Sequence, residues 1–324
     1  MENIINDQFV LGIDIGGSKI RLGLVDVKGE VVWSITKPNF NFDTISQWIE
    51  YFKNQILNQI PPKLIYSFSK IGIGAAGWID QNTHIIIHSP NTNWTNINLK
   101  MLLENELNIP ITIINDCTAA VIGEHTYGAI NKCTNALGIF IGTGVGGGLI
   151  LNNNIYEGSD GFAGEIGHTI IIENGNLCEC GKRGCLEAYT GGKAIGKIAE
   201  ILALKDKQTS LIKFSANTNN VISAETVSMA FYNNDKVAIK IVKDTSNKLA
   251  TAISNFSNIF DPDGIVIGGG VIDGIPEIVQ YIEDSYKNKS ITKNPEGKIR
   301  KSKLGKDMVV IGAATVARRS FKTK

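Results

Sequence analysis

The sequence lacks an excess of charge of either sign, a long apolar run and a secretion signal. Its 32 Lys and Arg residues balance 31 Asp and Glu residues, which gives a formal net charge of +1. This balance provides no electrostatic reason to expect binding to nucleic acid or to an anionic membrane surface. No stretch reaches the roughly 18 to 20 consecutive apolar residues of a membrane-spanning helix, and Met1 to Phe9 is too polar and acidic for a secretion signal. We therefore expect a cytoplasmic protein without nucleic-acid or membrane partners.

The chain also has no linker rich in Pro, Gly and Ser, and it contains no G-x-x-x-x-G-K-[ST] motif. With 324 residues it is too long for one ordinary domain, which usually has about 100 to 200 residues. Short runs of Val, Ile and Leu alternate with longer segments of helical period, a pattern that predicts an α/β chain. We expect two lobes that meet across a cleft, and no P-loop.

A glycine-rich turn occurs twice, and each copy follows an apolar strand pattern. Gly12–Gly17 (GIDIGG) reappears later in the chain as Gly138–Thr143 (GIFIGT). Glycines let backbone N–H groups approach an anion with no Cβ in the way. A single copy also fits an ordinary hairpin turn, but two copies that each open a lobe favour nucleotide binding.

The second turn matches the dinucleotide-binding pattern G-x-G-x-x-G through Gly142, Gly144 and Gly147. That pattern requires a helix directly after the glycines, because the helix N-terminus faces the pyrophosphate. Here residues 148–151 have a strand pattern and three asparagines follow. The sequence context therefore argues against a Rossmann fold.

Two aspartates stand out at the ends of predicted strands. Asp14 lies between Ile13 and Ile15, where it either caps the following turn or holds Mg²⁺ against phosphates. Asp116 follows the apolar run 109–114, at the carboxyl end of a strand, where ligands bind in open α/β sheets. It either caps the next helix or accepts the proton of a substrate hydroxyl that attacks a phosphoryl group.

A cluster of His168, Cys178, Cys180 and Cys185 has the spacing H-x₉-C-x-C-x₄-C. Four such ligands form a closed tetrahedral Zn²⁺ site with no position for a catalytic water, so we interpret the zinc as structural. Gly181 and Gly184 allow the tight turns that the site needs. The alternative is a set of free thiols beside a surface histidine. Glu165 and Glu187 bracket the cluster as hydrogen-bond acceptors for vicinal hydroxyls, which indicates a sugar ligand.

Six segments, taken in order, resemble the ROK family (repressors, open reading frames, kinases). They are Gly12–Lys19, Asn115–Asp116, Ile141–Gly148, Gly164–His168, Cys178–Glu187 and Gly268–Gly270. The resemblance implies an α/β, two-lobed, ribonuclease-H-like fold of the actin, hexokinase and heat-shock ATPase superfamily, with a central cleft for a hexose and MgATP. It implies a small lobe of residues 1–116 plus about 309–324, and a large lobe of 117–308 that carries the zinc site. A C-terminal helix of about 312–321 would return to the first lobe.

The resemblance also implies roles for the matched residues. Asp116 would be the general base for the sugar 6-hydroxyl. The implied sugar contacts are Gly77, Asn91, Asn115, Asp116, Glu165, His168 and Glu187, and the implied zinc ligands are His168, Cys178, Cys180 and Cys185. The implied contacts to ATP and Mg²⁺ are Asp14, Gly16, Gly17, Ser18, Lys19, Gly142, Thr143, Gly144, Gly268, Gly269 and Gly270.

Segment 72–80 (GIGAAGWID) resembles that of ROK glucokinases, so we favour glucose as the substrate. Kinases of N-acetylmannosamine, N-acetylglucosamine or fructose are the alternatives. ROK transcriptional repressors carry a helix-turn-helix before the first glycine turn, whereas Asp14 is only thirteen residues from Met1, so we expect no such module. Similar proteins form dimers or tetramers, and a homodimer or homotetramer is expected here.

Overall fold

A computed structural model describes residues 8–80, 83–89, 91–292 and 294–320. Residues 1–7 of the predicted small lobe lie outside these ranges, as do residues 321–324, which include the predicted end of the C-terminal helix at Phe321. Within the described ranges, no helix is both long and apolar enough to cross a membrane.

Strands and helices alternate along most of the chain, as the apolar pattern predicts. The strands are β1 (Phe9–Ile15), β2 (Lys19–Val25), β3 (Val31–Pro38), β4 (Phe68–Ala75), β5 (Trp78–Ile79), β6 (Ile86–Ser89), β7 (Trp94–Ile97), β8 (Ile111–Asn115), β9 (Ala136–Ile141), β10 (Val145–Leu151), β11 (Asn154–Tyr156), β12 (Gly264–Gly268) and β13 (Ile299–Lys301). The α-helices are α1 (Ile45–Gln59), α2 (Leu99–Leu107), α3 (Asp116–Tyr127), α4 (Glu187–Thr190), α5 (Gly192–Lys205), α6 (Ser210–Ser215), α7 (Ala224–Tyr232), α8 (Lys236–Phe260), α9 (Gly270–Gly274), α10 (Glu277–Lys287) and α11 (Met308–Ser320).

Two five-stranded sheets share one topology. The first has the order β3-β2-β1-β4-β8 and the second β11-β10-β9-β12-β13. In each sheet the first three strands of the chain pair antiparallel and the last two join in parallel. The repeated glycine turn therefore marks a repeated structural unit, and each copy of the turn connects the first two strands of its sheet. A small antiparallel sheet, β5-β6-β7, is inserted after β4.

Glycines allow helix α11 to pack directly on the first sheet and on α3. A Cβ at Gly12 of β1 would collide with the Val310 carbonyl, and one at Gly72 of β4 would collide with that of Ala313. A Cβ at Gly312 would likewise collide with the carbonyl of Ala119 in α3. Because these positions lack side chains, the C-terminal helix lies against β1, β4 and α3. The C-terminal helix thus returns to the first sheet.

Candidate active site

The first glycine turn joins β1 to β2 and is closed by a bond from the Gly16 N–H to the Lys19 carbonyl, at 3.0 Å. A Cβ at Gly17 would lie 2.9 Å from the Cβ of Asn91, so a larger residue would displace Asn91. In the described part of the chain, no acceptor binds the N–H groups of Gly17 and Ser18. The turn therefore presents two free donors, as a phosphate-binding turn does. Ser18 and Lys19 are exposed.

The second turn joins β9 to β10 and is held from behind by the start of α5. The N–H groups of Gly192 and Lys193 donate to the carbonyls of Gly142 and Thr143, at 2.9 and 3.1 Å. Among the described residues, the N–H groups of Thr143 and Gly144 have no acceptor. A Cβ at Gly142 would meet nothing within 4 Å, so this side of the turn faces open space.

The third glycine segment lies between β12 and α9, beside the second turn. Gly269 has φ +98°, and a Cβ there would lie 2.5 Å from the carbonyl oxygen of Ile141, the last residue of β9. Gly270 is exposed, and a Cβ on it would meet nothing within 4 Å. The structure therefore places Gly269 against the end of β9, beside the Gly142–Gly144 turn, and leaves open space next to both Gly142 and Gly270.

Asp14 and Asp116 approach each other across a glycine. Asp14 of β1 pairs in register with Gly74 of β4, and a Cβ at Gly74 would lie 3.5 Å from the Cα of Asp116. Because Gly74 has no side chain, nothing on β4 separates the two carboxylates. Asp14 also pairs with Arg21 of β2, whose guanidinium forms an ion pair with Asp307 at 2.5 Å.

The two carboxylates occupy a desolvated environment. Burial and the charge of Asp116 raise the pKa of Asp14 from 3.8 to about 7, although Arg21 lowers it. Burial also raises the pKa of Asp116, while hydrogen bonds from Cys117 lower it. Two carboxyl groups that repel each other in such a cleft are a suitable donor set for a divalent cation such as Mg²⁺.

Asn115 caps helix α3, and the Asp116 Oδ1 also accepts a bond from the Cys117 N–H, at 2.8 Å. The Asn115 Oδ1 accepts bonds from the N–H groups of Cys117 and Thr118, at 2.9 and 3.0 Å. Its Nδ2 donates to the Gly77 carbonyl at 3.1 Å, which joins β8 to the β4–β5 turn. Gly77 has φ +127°, and a Cβ there would lie 2.5 Å from the His88 carbonyl. Gly77 and Asn115, both predicted to contact sugar, are therefore in contact with each other.

The cysteine cluster has the dimensions of a zinc site. The ligand atoms of His168, Cys178, Cys180 and Cys185 all lie within 4.8 Å of one another. The Cys180 and Cys185 sulfurs are 3.7 Å apart, and the Cys178 sulfur is 3.7 Å from His168 Nδ1. Tetrahedral zinc with Zn–S bonds of about 2.3 Å separates two sulfurs by about 3.8 Å, so these residues fit the ion.

Glycines shape the loop that carries the three cysteines, as the sequence predicts. Gly181 and Gly184 have φ values of +85° and +86°, which strain other residues. A Cβ at Gly184 would also collide with the Ile172 carbonyl. The loop therefore depends on both glycines to bring its sulfurs together.

A chain of contacts connects the cysteine cluster to the second glycine turn. His168 uses Nδ1 toward Cys178, and its Nε2 lies 3.8 Å from the Glu165 carboxylate. The Cys178 thiol donates to Glu187 Oε1 at 3.5 Å, and the Val145 N–H donates to Glu187 Oε2 at 2.8 Å. Burial raises the pKa of Glu165, His168 lowers it, and the charges of Asp116 and Glu187 raise it. The charges of Asp116 and Glu187, together with His168, thus all act on Glu165.

Sequence reasoning missed an aromatic contact between two residues that are close to Gly77 and Glu165 in the sequence. The rings of Trp78 in β5 and Phe162, in the loop after β11, are 5.3 Å apart. Trp78 follows Gly77, and Phe162 precedes Glu165 in a loop with positive φ at Gly158, Gly161 and Gly164. In the sequence, only the regular spacing of these three glycines indicates an unusual loop here. Arg21 and its partner Asp307 gave no signal, because they are far apart in the sequence.

Known proteins match this sequence over nearly the whole chain. A glucokinase of Halalkalibacterium halodurans is 33% identical over 318 residues, which cover 95% of this chain and 94% of that protein. A xylose repressor of Bacillus spizizenii is 28% identical, over 97% of this chain and 78% of the repressor.

A solved structure agrees in fold. It is that of a ROK family glucokinase from Streptomyces griseus in complex with glucose and AMPPNP. The two proteins are 28% identical and superpose with a TM-score of 0.85, over 96% of this chain and 99% of the other. The sequence pattern of the ROK family matches residues 10–320, and this chain therefore belongs to the ROK family.

Proposed function

We propose that this protein transfers the γ-phosphoryl group of ATP to the 6-hydroxyl of a hexose, and that glucose is its substrate. The broader class, an ATP-dependent sugar kinase, follows from the glucokinase relatives. The observation that carries the reaction is the position of Asp116. Its Cα lies next to Gly74, the residue that pairs with Asp14, and its charge acts on both Asp14 and Glu165.

In this proposal Asp116 is the general base. A base must be deprotonated to accept the hydroxyl proton, and a raised pKa increases its affinity for that proton. Asn115 fixes the start of α3 through its cap, so the backbone of Asp116 is rigid. Positioning of this kind is the main contribution of protein groups in phosphoryl transfer.

The glycine turns supply the nucleotide contacts. Gly17, Ser18, Thr143 and Gly144 would donate their free N–H groups to phosphate oxygens, and the open side of Gly268–Gly270 would accept the adenosine end. Asp14 would hold Mg²⁺, directly or through water, and the bound ion neutralises phosphate charge. Closure of a small lobe (1–116 and about 309–324) on a large lobe (117–308) would exclude water from the cleft.

The sugar would lie against residues of both lobes. The ring hydroxyls would form hydrogen bonds with Glu165, His168 and Glu187. On the first lobe they would meet Gly77, Asn91 and Asn115. Bound zinc would be structural and would fix the His168 ring through Nδ1, leaving Nε2 toward the sugar. A homodimer or homotetramer is the proposed assembly, which light scattering measures directly.

One experiment tests the substrate. ADP release is measured with ATP, Mg²⁺ and each of four sugars: glucose, N-acetylmannosamine, N-acetylglucosamine and fructose. The proposal expects the highest kcat/KM for glucose, with glucose 6-phosphate as the product. A higher kcat/KM for another sugar would change the proposed substrate but not the proposed kinase activity. Binding of these sugars without any ADP release would instead indicate a sugar sensor like the repressors.

A further inference from the structure

Asn39, a residue outside the glycine motifs, binds two carbonyl groups of the first turn. The Asn39 side-chain Nδ2 donates to the Gly16 carbonyl at 2.6 Å, and its backbone N–H donates to the Ser18 carbonyl at 2.8 Å. Asn39 follows β3 directly, so the end of that strand lies against the turn. In a trans peptide the carbonyl and the following N–H point in opposite directions, so the bond to the Gly16 carbonyl directs the Gly17 N–H away from Asn39.

Trp48 fixes which way the Asn39 amide points. The indole Nε1 of Trp48 lies 3.0 Å from Asn39 Oδ1. An indole N–H can only donate, so the atom that faces it must be the amide oxygen, and the amide nitrogen must face Gly16. Trp48 is only 2% exposed and stacks on Phe52 at 4.8 Å, which holds the indole in place. A reversed amide would set two oxygens against each other at Gly16.

The second turn shows that this support has a counterpart. There the carbonyls of Gly142 and Thr143 are bound by the backbone N–H groups of Gly192 and Lys193 at the start of α5. In the described part of the chain, the carbonyls of the first turn are bound instead by the side chain and the backbone N–H of Asn39. In both turns a bound carbonyl precedes a free N–H: Gly16 precedes Gly17 in the first turn, and Gly142 precedes Thr143 in the second.

We propose that Asn39 is a positioning residue for the nucleotide, oriented by Trp48 and acting through the Gly16–Ser18 turn. This inference rests on the proposed function, because that function assigns the turn to the phosphates of ATP. Asn39 itself touches no reacting group. Its effect should therefore fall on nucleotide affinity and not on sugar affinity.

The test compares Asn39→Ala and Asn39→Asp with the wild-type protein. Loss of one such hydrogen bond weakens an interaction by roughly 3- to 10-fold. We expect KM for ATP to rise by about that factor while KM for glucose changes less than about two-fold. Asn39→Asp keeps the acceptor for Trp48 but replaces the donor to Gly16, so its effect should equal or exceed that of Asn39→Ala.

A matched control lies next to Asn39. The Tyr51 hydroxyl donates to the Pro38 carbonyl at 2.5 Å but makes no hydrogen bond to the turn. Tyr51→Phe therefore disturbs the same segment and should leave KM for ATP unchanged. If Tyr51→Phe raises KM for ATP as much as Asn39→Ala does, the segment and not the Asn39 amide is responsible, and the proposal is wrong.

A double-mutant cycle tests the orienting role of Trp48. Trp48→Phe removes the indole donor, so it should raise KM for ATP, and adding it to Asn39→Ala should raise KM no further. Multiplicative effects would show that the two residues act independently and would contradict the proposal.

Binding of AMPPNP with Mg²⁺, measured by calorimetry without sugar, separates this inference from the proposed function. A wild-type protein that binds AMPPNP but phosphorylates no sugar refutes the kinase alone. Equal AMPPNP affinity of wild-type and Asn39→Asp proteins refutes the role of Asn39 alone.

Discussion

Replacing Asp14 with Asn should stabilise the protein while it removes activity. Burial, with the charge of Asp116, raises the pKa of Asp14 from 3.8 to about 7, against the lowering effect of Arg21. A carboxyl whose pKa is higher in the folded than in the unfolded state binds its proton more tightly in the folded state. Its stability contribution is therefore fully present below its unfolded pKa and is lost as the pH rises through the folded pKa.

The size of the pKa change sets the size of the effect. One pKa unit corresponds to about 1.4 kcal/mol, so a rise of about 3 units corresponds to about 4 kcal/mol once Asp14 is ionised in both states, near pH 8. Near pH 5 Asp14 stays protonated in the folded state, and the free energy of unfolding is about 2 kcal/mol lower than at a pH below both pKa values. Asn has no proton to lose, so its advantage over Asp14 should grow by roughly 2 to 3 kcal/mol between these conditions.

The assay is urea unfolding, followed by tryptophan fluorescence in magnesium-free buffer near pH 5 and near pH 8. Asp43→Asn, which removes an exposed carboxylate, is the matched control. The stability difference between Asp14→Asn and wild type should increase with pH, and added Mg²⁺ should stabilise the wild type and Asp43→Asn but not Asp14→Asn. A difference that is the same at both pH values would refute the reasoning about the buried pair.

Three further outcomes are expected. Cys178→Ser should lose zinc by metal analysis together with sugar affinity, and a variant that keeps zinc yet loses sugar would contradict the scaffold role. Phe162→Ala removes the ring contact with Trp78, which is worth about 0.5 to 1.5 kcal/mol. KM for sugar should therefore rise roughly 2- to 10-fold, and an equal rise in KM for ATP would argue against a specific role of this contact in sugar binding. Glu124 is fully buried and accepts bonds from Ala129, Ser302 and Leu304, so Glu124→Ala should cost about 3 kcal/mol or more in urea unfolding.

Strands that run into glycines were the part of the fold most readable from the sequence. The apolar runs Phe9–Ile15 and Ala136–Ile141 each stop at a glycine turn and predict two strands, and β1 and β9 have these bounds. Strand β3 was missed because its residues alternate between intermediate and exposed positions and include polar side chains. The inserted sheet β5–β7 was missed because its strands have only two to four residues.

Local capping shifted one predicted boundary with consequences for the site. The apolar pattern starts a helix at Ala119, whereas α3 begins at Asp116 because Asn115 caps it. The motifs named Asp14 and Glu165, on which the charge of Asp116 acts, but the supporting contacts could not be predicted. The bond from Trp48 to Asn39 and the ion pair between Arg21 and Asp307 depend on how strands and helices meet in space.

The most direct test of the central claim is the turnover of Asp116→Asn with the preferred sugar. Asn has nearly the shape of Asp but cannot accept the hydroxyl proton, and a general base contributes about 10² to 10⁴-fold in rate. Sugar binding by calorimetry should stay close to the wild-type value while kcat for ADP release falls by about that factor. Turnover near that of the wild type would show that another group takes the proton and would contradict the mechanism.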